Sequence, residues 1–77
     1  MTDIKEAAEY IIKAVVTDSE NVVVESRIEN QLTIIEVSAP PELVGQIIGK
    51  EGKIIKSIRT LLNLAFPETR YILQIKE

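Results

Sequence analysis

Val44-Gly45-Gln46-Ile47-Ile48-Gly49-Lys50-Glu51-Gly52-Lys53-Ile54-Ile55 is the most informative segment of the chain. Gly49 and Gly52 bracket two charged residues, with Ile47-Ile48 before them and Ile54-Ile55 after. Leu43, Val44, Ile47 and Ile48 recur at helical spacing, which predicts a short helix from Pro41 to Ile48. A longer amphipathic helix is expected from Lys53 onward, so the chain must reverse sharply between the two. Gly49 suits a helix C-terminus because glycine takes φ > 0 without steric cost. Gly52 leads into the next helix, whose first N–H groups have no intrahelical partner and, with the helix dipole, favour an anion. Without a Cβ at Gly49 or Gly52 a sugar-phosphate backbone can pass close, and Lys50 and Lys53 add positive charge there. Glu51 is unhelpful beside a phosphate.

Outward from this segment the periodicities are clear. Asp3 with Glu6 reads as a capping box, and Ile4, Ala7, Ala8, Ile11, Ile12 and Val15 follow at helical spacing, predicting a helix that ends near Val16. Thr17 to Asn21 is a polar loop. Val22 to Ile28 and Gln31 to Ser38 read as strands joined by a tight turn at Glu29-Asn30, too short for anything but an antiparallel hairpin. Thr33, Ile35 and Val37 fall on one face of the second strand, and Leu32, Ile34 and Glu36 on the other. Pro41 suits the first turn of the helix that follows. The third helix runs from Lys53 to about Leu64, and Pro67 stops it. Its apolar face is expected to centre between Ile54, Ile55 and Ile58, with Lys56, Arg59 and Asn63 opposite. Tyr71 to Ile75 is a last strand, with Tyr71 expected in the core.

The 77 residues are expected to form one domain, 1–77, with 45% hydrophobic and 27% charged residues. A chain this small buries only about 60% of its unfolded surface. Cysteine and histidine are absent, which removes thiol nucleophiles, imidazole acid–base chemistry and ordinary zinc sites. No catalytic residue, metal or cofactor is expected. The lack of cysteine fits a reducing cytoplasm, and no apolar run or signal-peptide pattern predicts membrane insertion or export. Net charge is −3, which argues against a broad electrostatic nucleic-acid binder. Positive charge is concentrated instead at Lys50, Lys53, Lys56 and Arg59. A P-loop is excluded: Gly45 to Lys50 is one residue short of the motif, and Glu51 stands where Ser or Thr should hold magnesium. Gly45 is expected to permit close helix packing.

A bare G-x-x-G is weak, since at about 7% glycine a chain this long shows one by chance roughly a third of the time. Here the flanking helices, the Ile-Ile pairs and the lysines together resemble the KH (K-homology) motif, with its I-G-x-x-G-x-x-I core at Ile48, Gly49, Gly52 and Ile55. The order helix, strand, strand, helix, helix, strand is similar to the type II KH fold. That resemblance implies an α+β domain with a three-stranded sheet carrying three helices on one face. The last strand would lie beside the Gln31–Ser38 strand. In length and order the chain looks most like the small bacterial single-KH proteins of the KhpA family, and Ile58-Arg59-Thr60-Leu61-Leu62 resembles a recurrent stretch of that family.

The resemblance implies a non-catalytic binder of single-stranded RNA. Gly49, Lys50, Glu51 and Gly52 would contact phosphates, Lys53 and Lys56 would support them, and Val44, Gly45, Ile47 and Ile48 would contribute to a groove wall. Ile48 and Ile55 are open between core and contact. KH domains clamp backbone against a glycine loop and need few aromatic platforms, which suits a chain whose only aromatic residues are Tyr10, Phe66 and Tyr71. Aspartate at both Gly49 and Gly52 is expected to abolish binding with the fold largely intact. The alternative is a protein-interaction subunit. It would form a homodimer through Leu61 and Leu64, or a heterodimer with a larger KH-containing protein, linked to cell elongation and division.

Overall fold

The computed structural model describes residues 3–76. Met1, Thr2 and Glu77, which the sequence places in the single domain, lie outside the described residues. Helix α1 spans Ile4–Val15, strands β1 and β2 span Val23–Glu29 and Leu32–Ser38, helix α2 spans Pro41–Ile48, helix α3 spans Lys53–Ala65 and strand β3 spans Tyr71–Lys76. Short 3-10 turns at Ser19–Asn21 and Lys50–Gly52 complete the path. The α+β order is the expected one.

Local chemistry accounts for the element ends. The Glu6 N–H donates to Asp3 Oδ1 at 2.8 Å and the Asp3 N–H donates to Glu6 Oε1 at 3.4 Å, closing the capping box and satisfying a helix-end donor. Pro41 takes the first turn of α2, where its missing N–H has no helical partner to lose.

The hairpin turn differs from expectation by one residue. Glu29 pairs with Leu32, so the two connecting residues are Asn30 and Gln31, at φ 51° and 67°. Positive φ at both positions is the type I′ turn, whose twist matches the right-handed twist of its strands. Asparagine tolerates that region, so the turn centres after Glu29 rather than on it.

The sheet order is β1-β2-β3, with β1 antiparallel and β3 parallel to β2. The parallel pairing follows from the long crossover through α2 and α3. Val24, Ile35, Val37 and Leu73 share one face of the sheet and form a single core with Ile4, Ala8 and Ile12 of α1, Leu43, Val44 and Ile47 of α2, and Ile55, Ile58 and Leu62 of α3. All three helices therefore lie on one face. Ile34 points the opposite way yet is only 5% exposed, because Arg27 and Ile72 flank it on the two neighbouring strands. On that outer face Glu36 accepts from Arg27 at 2.9 Å and from Lys76 at 3.1 Å, spanning all three strands.

The rotation of α3 departs from the sequence reading. Its buried residues are Ile55, Ile58 and Leu62, whereas Ile54 is 37% exposed. The apolar arc of α3 is wider than the area the sheet, α1 and α2 cover, and packing selects which part is buried.

Candidate nucleic-acid interface

The turn between α2 and α3 is built on three residues with positive φ: Gly49 at 76°, Glu51 at 58° and Gly52 at 75°. The Gly49 N–H donates to the Gly45 carbonyl at 2.9 Å, ending α2, and the Gly52 N–H donates to the Gly49 carbonyl at 3.1 Å. No side chain caps the N-terminus of α3. The Lys53 N–H, the first of α3, donates to the Lys50 carbonyl; the N–H groups after it have no side-chain cap, and a helix N-terminus of this kind favours an anion through its N–H groups and its dipole.

The two glycines perform different tasks. A Cβ at Gly49 would stand 2.8 Å from Ile54 Cβ and 3.0 Å from the Ile54 backbone nitrogen. The space left by its missing side chain is thus already occupied by the protein. A Cβ at Gly52 would meet nothing within 4 Å, so Gly52 leaves the approach to the loop open. Of the two glycines expected to clear a path for a ligand, only Gly52 has open space where a Cβ would stand. The paired aspartate substitution would not leave the fold intact, because position 49 has no room for it. Gly45 also meets nothing within 4 Å; it is not a close-packing residue but a bare, exposed point on α2.

The remaining candidate residues divide by burial. Ile47 is wholly buried, Val44 nearly so, and both belong to the core; neither presents surface for a groove wall. The physical reason is that α2 lies over the sheet, and its Leu43-Val44-Ile47 face covers it. Ile48, on the other side of α2, is 38% exposed, and Ile55 is core. Lys50, Glu51, Lys53 and Lys56 are exposed around the loop. Lys53 Nζ reaches Glu51 Oε1 only at 4.0 Å, a contact at the outer limit between two solvated groups, worth little. Among the described residues Lys50, Lys56 and Arg59 enter no salt bridge. Leu61 and Leu64 are 51% and 74% exposed and lie away from the buried face of α3. Phe66, which follows the end of α3, packs against the core.

Gly52, Lys56, Arg59 and Asn63 follow one another along a stripe of α3 about 16 Å long, at 1.5 Å per residue. The far end of that stripe borders a hollow of about 410 Å³ lined by Arg59, Asn63, Tyr71, Ile72 and Leu73. β3 is the edge strand there. The Arg70 and Lys76 carbonyls accept from the N–H groups of Thr33 and Ala39, so the backbone groups of the alternate residues Tyr71, Leu73 and Ile75 point outward from the open edge. Tyr71 is half-buried, its ring against the core and its hydroxyl on Asn63 Oδ1 at 2.9 Å. Sequence reasoning put Tyr71 wholly in the core and passed over Asn63. The i, i+4 spacing of Arg59 and Asn63 was visible, but not the strand that meets them. A second hollow of about 480 Å³ on α1 is lined by Glu6, Ala7, Tyr10 and Ile11, with no cation to attract a phosphate.

Residues 5–75 match the family model described as KhpA/KhpB, KH domain. The chain is 39% identical over 61 residues to RNA-binding protein KhpA of Clostridium perfringens, covering 79% of this chain and 81% of that protein. It is 45% identical over 58 residues to RNA-binding protein KhpA of Chlamydia pneumoniae, covering 75% and 74%. Over 73 residues it is 36% identical to RNA-binding protein KhpA of Treponema pallidum, covering 92% and 91%. Among solved structures it is similar in fold to a chain of the crystal structure of Era in complex with MgGDPNP and nucleotides 1506–1542 of 16S ribosomal RNA. The TM-score is 0.61 at 18% identity, over 95% of this chain and 29% of that one.

Proposed function

The chain belongs to the KhpA/KhpB KH-domain family, and from that premise we propose that it binds single-stranded RNA and catalyses no reaction. The loop Gly49-Lys50-Glu51-Gly52 holds the sugar-phosphate backbone, Lys53 and Lys56 supply further charge, and Gly45 and Ile48 border the path on α2. The observation that carries this reading is the open approach at Gly52, beside a helix N-terminus with no side-chain cap and a Lys50 that enters no salt bridge among the described residues. A glycine loop that clamps about four nucleotides of backbone is the KH mode of recognition. The relatives named above as RNA-binding proteins support it.

The test leaves both glycines in place. Lys50→Asp puts a carboxylate where the phosphate sits and touches no core residue. Binding of a single-stranded RNA, read by fluorescence anisotropy, should be lost while the thermal unfolding curve is unchanged. A folded Lys50→Asp variant that binds as the parent does refutes the loop assignment.

A second reading concerns assembly. Leu61 and Leu64 are exposed apolar residues on α3, on a domain too small to bury much apolar area alone. A two-fold contact between third helices, in a homodimer or with a larger KH-containing partner, would cover them and leave the loop free. In that reading the domain acts through its partner, in cell elongation and division.

A further inference from the structure

β1 forms the other edge of the sheet, and the direction of its backbone groups follows from β2. The Thr33 N–H donates to the Arg70 carbonyl and the Ala39 N–H to the Lys76 carbonyl, so Thr33, Ile35 and Val37 turn their backbone groups toward β3. The alternate residues Leu32, Ile34, Glu36 and Ser38 turn theirs toward β1, where Glu29, Arg27, Glu25 and Val23 meet them. That leaves the N–H and C=O groups of Val24, Ser26 and Ile28 on the open edge. Val23–Glu29 contains no proline and no lysine, and its register with β2 runs without a bulge, so the usual devices that block edge pairing are missing. Two side chains on this strand also lack cover. Ile28, on the same face as the core residue Val24, is 74% exposed. Glu25 stands directly opposite Glu36 on the outer face, an unfavourable like-charge pair. Arg27 and Lys76 hold Glu36, whereas Glu25 enters no salt bridge among the described residues.

We propose that β1 docks antiparallel against β1 of a second copy of this chain, about a two-fold axis through Ser26, joining the two sheets into one. Ser26 is the midpoint of the strand, so this register pairs every residue of Val23–Glu29. Ser26 then faces Ser26, and Val24 faces Ile28, as hydrogen-bonded pairs made from the free edge groups. Glu25 of each copy faces Arg27 of the other as a non-hydrogen-bonded pair, where side chains lie closest. The next register in one direction sets Glu25 against Glu25, and in the other Arg27 against Arg27. The charge pattern therefore selects the register with full overlap. Such a contact is isologous, keeps the helices of both copies on one face of the joined sheet, and is separate from the α3 contact named above. It requires neither the RNA reading nor the dimer through Leu61 and Leu64.

The experiment is sedimentation equilibrium of the whole chain carrying Leu61→Lys/Leu64→Lys, so that α3 makes no contribution. A single strand pairing lies at the low end of interface size, so self-association is expected with a Kd of about 0.1–1 mM and should weaken as salt screens the charge pairs. Glu25→Arg in this parent sets arginine against Arg27, and Arg27→Glu sets glutamate against Glu25. Each should weaken self-association by about tenfold, since two like-charge pairs replace two opposite ones. Mixed in equal amounts, the two variants present opposite charges at both pairs and should associate as the parent does. Ser26→Pro removes one free edge N–H without touching the β2 ladder, and should abolish association with the unfolding curve little changed; it carries the test alone if Arg27→Glu does not fold. A parent that stays monomeric at millimolar concentration overturns the inference. So does a folded Ser26→Pro or Glu25→Arg variant that associates as the parent does, or a mixture of folded charge variants that stays apart.

Discussion

Replacing Gly49 by alanine adds one methyl group at a site that lacks both the backbone freedom and the room for it. At φ 76° and ψ 174° the residue occupies a region open essentially to glycine alone, and a side chain there costs about 1–3 kcal/mol. The new Cβ would also meet Ile54 at its Cβ, 2.8 Å away, and at its backbone nitrogen, 3.0 Å away. The nitrogen belongs to the first turn of α3 and gives way only if the helix shifts, an overpacking cost of about 1–3 kcal/mol. Together a loss of about 3 kcal/mol is expected, which lowers the melting temperature by roughly 12–24 °C in a domain this size. Two controls fix the interpretation. Gly52→Ala carries only the left-handed penalty, about 1 kcal/mol, because its Cβ meets open space. Gly45→Ala, in mid-helix with nothing nearby, should stabilise by up to about 1 kcal/mol. Thermal unfolding of the three variants by circular dichroism reads the order directly. In an Ile54→Ala background Gly49→Ala should cost less, since part of the overlap is with that side chain. A Gly49→Ala variant no less stable than Gly52→Ala refutes the reasoning.

Three further outcomes are expected. About three phosphate contacts on a single strand give a slope of roughly −2 in log K against log salt, and Lys50→Ala should flatten it while Lys5→Ala on α1 does not; a slope near −6 would mean a broad basic surface instead. Wild type at micromolar concentration should sediment as a dimer and Leu61→Lys/Leu64→Lys as a monomer; a wild type that is monomeric throughout rules out that interface. The Arg27 guanidinium, and then Lys76, hold the Glu36 carboxyl below its ordinary pKa, so its ion pairs stabilise the fold above the unfolded carboxylate range and that contribution is lost as pH falls through the lowered folded value. Arg27→Gln should therefore differ from the parent near neutral pH and converge with it in acid; a gap that persists unchanged into acid shows that Arg27 acts through packing alone.

Which residues form helices and strands, and in what order, was legible in the sequence, because those properties depend on neighbours within a few residues. Asp3 and Glu6 announce α1, Pro41 opens α2, the Ile-Ile flanks and the glycines mark the reversal, Pro67 follows the end of α3, and the alternation in Leu32–Ser38 assigns its two faces. The lysines around Gly49 and Gly52 made the loop the candidate site for the same reason. What the tertiary structure decided were relations between segments far apart in the chain. Ile54 and Leu62 are equally apolar, and only the sheet and α1 determine that Leu62 is buried while Ile54 lies against Gly49. The two glycines look alike in sequence and differ because the residue filling the space beside Gly49 belongs to the next helix. Val44 and Ile47, expected from the resemblance to line a groove wall, belong to the core because the sheet lies beneath them. The meeting of Tyr71 with Asn63 requires the parallel return of β3 across α3, which no local pattern specifies, since a parallel pairing is set by the packing of the whole crossover rather than by a turn.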